Sequence, residues 1–101
     1  LINIEYDKNE IKVLNKDLTV ANKLGLHARA AAKLVALASN FASEITIQKG
    51  SRKINGKSIM GVMMLAASQH TIVNIEVAGE DEQQAMTEIE NLFKNLFDED
   101  E

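Results

Sequence analysis

At 101 residues the chain is long enough for one domain with a modest core and too short for two. Apolar residues make up 46% of it and aromatic residues only 4%, so the core must be built from aliphatic side chains, Ala and Met. The net charge of -4 and the lack of a basic patch interleaved with aromatics argue against nucleic acid as a partner. Without cysteine there is no disulfide framework or thiolate metal site, and two well-separated histidines match no familiar metal spacing. No secretory leader pattern and no bilayer-length apolar run is visible, so no membrane association and a cytoplasmic location are expected.

Residues 1–16 alternate weakly at Ile2, Ile4 and Tyr6 and then turn polar at Asp7-Lys8-Asn9-Glu10, compatible with a short strand, an ordered arm or a flexible extension. No role follows for them. From Asp17 the pattern sharpens, with Leu18 and Val20 on one side of a strand. Gly25 supplies a turn, and a helix is predicted over 28–39 with Ala31, Leu34, Val35 and Ala38 as its buried stripe. Residues 43–48 alternate with β-branched side chains, Lys49-Gly50-Ser51 reverses the chain, and Arg52-Lys53-Ile54-Asn55 returns as a polar edge strand.

Ser58 is a preferred N-cap for a short helix over 59–65, and residues 71–77 form the next strand, with Val73, Ile75 and Val77 on its apolar face. Glu80-Asp81-Glu82 suits the start of a third helix buried through Ala85, Ile89, Leu92, Phe93 and Leu96. The acidic residues 98–101 are expected to fray, because negative charge is unfavourable at a helix C-terminus. The order strand, helix, two hairpin strands, helix, strand, helix implies an α+β two-layer sandwich: four strands with three helices covering one face.

The chemistry concentrates in Gly25-Leu26-His27-Ala28-Arg29-Ala30-Ala31-Ala32-Lys33. The first N–H groups of a helix lack internal partners and carry partial positive charge, so the main chain at Ala28, Arg29 and Ala30 offers donors to an anion borne by His27. Arg29 adds a fixed charge. The same field disfavours imidazolium and leaves a nucleophilic ring nitrogen, so the pattern predicts a histidine that accepts a phosphoryl group. A histidine at a helix start is also a common turn or capping residue.

This segment closely resembles the active-site motif of the histidine-containing phosphocarrier (HPr) family of the bacterial phosphoenolpyruvate-dependent phosphotransferase system. A second stretch, Asn55-Gly56-Lys57-Ser58-Ile59-Met60-Gly61-Val62-Met63, resembles the family's other signature. The resemblance spans about residues 17–97, leaving 1–16 as an extension and 98–101 as a tail. It implies an antiparallel open-faced sandwich and phosphorylation of His27 on Nδ1, the ring nitrogen nearer the main chain, with Arg29 holding or releasing the phosphate. It also implies a docking patch of Ala32, Ile59, Met60 and Met63, and a regulatory phosphorylation site at Ser58. Most members carry proline where this chain has Ala30, which restores an N–H donor and loses a fixed φ.

The implied partners are Enzyme I as donor, EIIA-type proteins as acceptors and an HPr kinase acting on Ser58, with no cofactor. The implied activity is a covalent phosphohistidine relay rather than an enzyme with a small-molecule substrate of its own, and a monomer suits such a shuttle. A second reading is a regulatory module that signals by its phosphorylation state. Asn22-Lys23-Leu24-Gly25 and the ending Phe97-Asp98-Glu99-Asp100 resemble the nitrogen-related branch and point that way.

Overall fold

A computed structural model describes residues 1–101. The elements in chain order are β1 (Asn3–Tyr6), β2 (Lys12–Thr19), α1 (Ala28–Ala38), β3 (Glu44–Lys49), β4 (Arg52–Asn55), α2 (Ile59–Met64), β5 (Ile72–Ala78) and α3 (Glu82–Lys94), followed by a tight turn over Leu96–Asp98. The strands form one antiparallel sheet in the order β1-β2-β5-β3-β4, and the helices cover one face of it. The expected α+β sandwich is present.

The sheet has five strands where the pattern predicts four, because residues 3–6 pair with 12–15 in a hairpin, from Asn3 opposite Asn15 to Tyr6 opposite Lys12. Asp7 closes its turn, Oδ1 accepting from the N–H groups of Asn9 at 2.8 Å and Ile11 at 2.9 Å. Every residue of β1 is exposed, so it carries none of the one-sided apolar alternation by which strands are read. β2 begins at Lys12 rather than near Asp17, and the sequence pattern misses its first half because Lys16 interrupts the alternation of Leu14 and Leu18 on the covered face. Its ammonium meets the Glu90 carboxylate from α3, so the charge is paired where a methyl group would ordinarily sit.

The core joins Leu14, Leu18, Ile45, Ile47, Val73, Ile75 and Val77 of the sheet to Leu34 and Ala38 of α1, Val62 of α2, and Ala85, Met86, Ile89 and Phe93 of α3. The predicted α1 stripe of Ala31, Leu34, Val35 and Ala38 is buried, with Ala30 beside it. Asp81 ties α3 to the loop after α1: its carboxylate accepts from the N–H of Ala42 at 2.8 Å and from the N–H and hydroxyl of Ser43 at 3.0 and 2.6 Å. At the far end of α2, Lys49 Nζ donates to the Leu65 carbonyl at 3.0 Å and Arg52 Nη1 to that of Met64 at 2.6 Å, satisfying acceptors that the short helix leaves free.

The end of the chain departs from expectation. α3 stops at Lys94, so Leu96 does not continue its stripe, and Leu96, Phe97 and Asp98 all adopt left-handed backbone, with φ of 57°, 54° and 63°. Such a run costs about 1–2 kcal/mol per non-glycine residue. Burial of Phe97 offsets it: the ring is fully enclosed and lies 4.8 Å from Phe93, tilted by 58°. The reversal turns the acidic residues back over the start of α1, so they do not fray. Phe97→Ala is therefore expected to cost about 3–5 kcal/mol, read as a lower urea midpoint at unchanged slope, and to let the tail fray, read as lost amide-exchange protection at Asp98 and Glu99, whose N–H groups close the turn.

Candidate functional site at the start of the first helix

The loop from Val20 to α1 is fixed before it reaches His27. The Val20 carbonyl accepts from the His70 N–H at 2.6 Å, and the Leu26 N–H donates to the Ala67 carbonyl at 2.8 Å. Gly25 has φ of +68°, and a Cβ there would stand 2.5 Å from the Ala67 oxygen, so the close approach of the two loops needs glycine on both counts. Leu26 is buried and serves as the anchor. His27 follows as the N-cap, with φ -71° and ψ 177°.

The His27 carbonyl accepts the first intrahelical bond, from Ala31, so the N–H groups of Ala28, Arg29 and Ala30 have no partner within the helix. The ring itself is about a quarter exposed, at 26%. Arg29 is exposed on the first turn. A partly accessible imidazole, the main-chain donors of Ala28, Arg29 and the buried Ala30, and an exposed guanidinium thus stand at the positive end of one helix.

Apolar residues border the ring on its other side. A cavity of about 320 Å³ is lined by His27, Leu24, Leu26 and Met63. Ile59, Met60, Met63 and Met64 of α2 are exposed, at 44%, 70%, 42% and 58%, while Val62 and Leu65 are buried. Ala32 is exposed on α1, which packs against α2. Ser58 caps α2, its Oγ accepting from the Gly61 N–H at 3.0 Å. Ser58 lies at the end of α2 away from Met63, roughly 8 Å along the axis at 1.5 Å per residue. Gly56, which precedes it, could not carry a Cβ without meeting Ile45 Cγ2 at 2.7 Å.

Glu99 and Asn22, from outside the motif, join the site together with Lys33 at the motif's end. Glu99 Oε2 meets His27 Nε2, and Glu99 Oε1 accepts from Asn22 Nδ2 at 2.9 Å. Asn22 is fully buried and also donates to the Gly25 carbonyl at 2.8 Å. Lys33 holds the reversal from α1, its Nζ donating to the Phe97 carbonyl at 3.1 Å and lying 3.6 Å from the Asp98 carboxylate. The hydrogen bond from Asn22 draws the Glu99 carboxyl below the usual carboxylate range; burial opposes this, and the contact with His27 and the charge of Arg29 reinforce it. Helical periodicity cannot find Glu99, because the chain reverses after α3. The one signal is Phe97, a large apolar residue next to the acidic run.

The sequence matches the family model described as "PTS HPr component phosphorylation site" over residues 14–95. The chain belongs to the HPr family. Among its relatives, the HPr of Xylella fastidiosa strain Temecula1 is 54% identical over 88 residues, covering 87% of this chain and 99% of that protein. The HPr of Cupriavidus necator is 51% identical over 88% of this chain and all of its own length. The crystal structure of HPr-C-His from Thermoanaerobacter tengcongensis superposes with a TM-score of 0.83 at 40% identity, covering 86% of this chain and 98% of that one. As a member of the HPr family, the chain is a phosphocarrier of the phosphotransferase system. No helix is long and apolar enough to cross a membrane.

Four carboxylates are held more acidic by the fold than in the unfolded chain: Asp81 by Ser43, Glu82 by the Gly79 N–H, Glu90 by Lys16 and Glu99 by Asn22. Folding therefore favours their ionised forms, and the stability they confer is complete above the unfolded value of about 4 and lost as pH falls below it. Urea midpoints should be flat from neutral pH down to about pH 5 and fall steeply below about pH 4. Glu99→Gln should reduce that acid slope.

Proposed function

We propose that His27 accepts a phosphoryl group from the phosphohistidine of Enzyme I and passes it to a histidine of an EIIA-type acceptor. The observation that carries this reading is the partly exposed imidazole at the N-cap of α1, beside the free N–H groups of Ala28, Arg29 and Ala30. In the first step Nδ1 attacks phosphorus, the N–P bond of the donor breaks as the new one forms, and the donor imidazole leaves with the electron pair. The second step repeats this with His27 as leaving group. One N–P bond replaces another each time, so the group keeps its transfer potential and alignment of the two rings supplies most of the catalysis.

The main-chain donors and Arg29 then act on the three equatorial oxygens, where charge is spread in the transition state. Ala30 carries an N–H that proline would lack, but the residue is fully buried, so the outer donors of Ala28 and Arg29 meet the phosphate first. Ala32, Ile59, Met60 and Met63 form the docking patch. Methionine repacks at low cost, which suits a face that must accept a donor and several acceptors in turn.

A regulatory role through Ser58 is a second reading, favoured by one observation: Ser58 caps the helix whose Ile59 and Met60 are exposed. A phosphate there would be welcomed by the helix start and would set a dianion beside the apolar patch, so it would weaken docking without unfolding α2. An HPr kinase would be the partner.

Incubation with phosphoenolpyruvate, magnesium and a bacterial Enzyme I is expected to add one acid-labile phosphoryl group by intact mass, absent from His27→Ala. Arg29→Ala should keep the adduct and lower its rate of formation by about 100-fold. If sugar-type and nitrogen-type Enzyme I both leave the wild-type protein unmodified, the relay reading fails.

A further inference from the structure

We infer that Glu99 is a positioning residue of the relay: its carboxylate binds the N–H at Nε2 of His27 and turns the ring so that Nδ1 is the nitrogen with a free electron pair. The inference rests on His27 being the phosphoryl acceptor and adds a residue that lies beyond the matched family segment of 14–95.

The two contacts of Glu99 define the geometry. Oε1 is held by Asn22 Nδ2 at 2.9 Å, and Oε2 faces His27 Nε2. An ionised carboxylate has only acceptors, so a ring nitrogen against it must carry a proton; two facing lone pairs would repel. With the proton of a neutral imidazole committed to Nε2, the electron pair available for attack is on Nδ1. The Asn22 bond favours the ionised carboxylate, which keeps Nε2 the protonated nitrogen of the neutral ring.

The tail is built to hold this contact. Among its acidic side chains, that of Glu99 is 11% accessible, against 63% for Asp98 and 75% for Glu101. The three left-handed residues before it are an arrangement a free tail would not adopt, and they persist because Phe97 is buried and Lys33 grips its carbonyl. Asn22 uses both amide hydrogens, on Gly25 and Glu99, while its buried Oδ1 accepts from no partner. The local structure thus accepts an unsatisfied acceptor and a strained turn while delivering one carboxylate to one ring nitrogen.

The step balances with that proton in place. As Nδ1 bonds to phosphorus the ring becomes positively charged, and the Nε2 proton remains between ring and carboxylate. When the phosphoryl group leaves, Nδ1 recovers its electron pair and the ring returns to the same tautomer. No proton is exchanged with solvent in either direction. Lys23, Arg29, Lys33, Asp98, Asp100 and Glu101 line the cleft that Glu99 shares. α2 contributes only the apolar Met63 to the ring's other side.

The test combines ring 15N–1H spectra with Enzyme I kinetics on wild type, Glu99→Ala and Glu99→Gln. In wild type, at a pH where the ring is neutral, a downfield, exchange-protected proton is expected on Nε2 of His27. Glu99→Ala should lose that protection and lower the maximal phosphorylation rate by about 10-fold with KM unchanged, since the docking face is intact. Glu99→Gln retains an acceptor oxygen and should recover part of the rate. Equal or faster phosphorylation of Glu99→Ala, or an unprotected Nε2 proton in wild type, would overturn the assignment while leaving the relay intact. A wild-type protein that no Enzyme I phosphorylates would remove both.

Discussion

The structure depends on one close approach, between the loop ahead of α1 and the loop after α2. Gly25 passes so near the Ala67 carbonyl that a side chain there has no room, and the Leu26 N–H donates to the same oxygen at 2.8 Å. This clamp ends the chain's descent from β2 and starts α1 at His27. It also draws α2 alongside, so that Met63 borders the ring. Loosening the clamp would separate His27, the start of α1 and the apolar face, the three parts that the proposed relay needs together.

Electrostatics at the site are divided between fixed and ionisable groups. The helix start presents donors that need no proton transfer and little reorganisation. Arg29 is exposed on the first turn of α1, where in the proposed relay its guanidinium would meet the phosphate. Glu99 places the opposite charge against Nε2 of the ring, where, in the proposed relay, it would meet the positive charge that develops as Nδ1 is phosphorylated. The dianion and the carboxylate are kept on opposite sides of one imidazole. Their mutual repulsion is thereby reduced, and both interact favourably with the ring between them.

Much of this was legible in the sequence wherever one face of an element is buried. The alternation of Val73, Ile75 and Val77, the α1 stripe and the Ser58 cap all appear where the residue pattern puts them. β1 was not legible, because a strand exposed on both faces has no pattern to read. The Lys16–Glu90 pair disguised the start of β2 in a related way, by placing a charge on the covered face and satisfying it from α3. The candidate site divides along the same line. His27, Arg29 and the exposed residues of α2 lie in local motifs, whereas Glu99 reaches His27 from 72 positions away through a left-handed reversal of non-glycine residues that local propensity opposes. Burial of Phe97 decides that reversal, and burial is a property of the folded chain.

Long-range 1H–15N spectra of the protein after treatment with phosphoenolpyruvate and Enzyme I test the central claim most directly, because they report which ring nitrogen of which histidine is coupled to phosphorus. The account predicts coupling at Nδ1 of His27, with the proton retained on Nε2. Coupling at Nε2, or phosphorylation of His70 in place of His27, would contradict it.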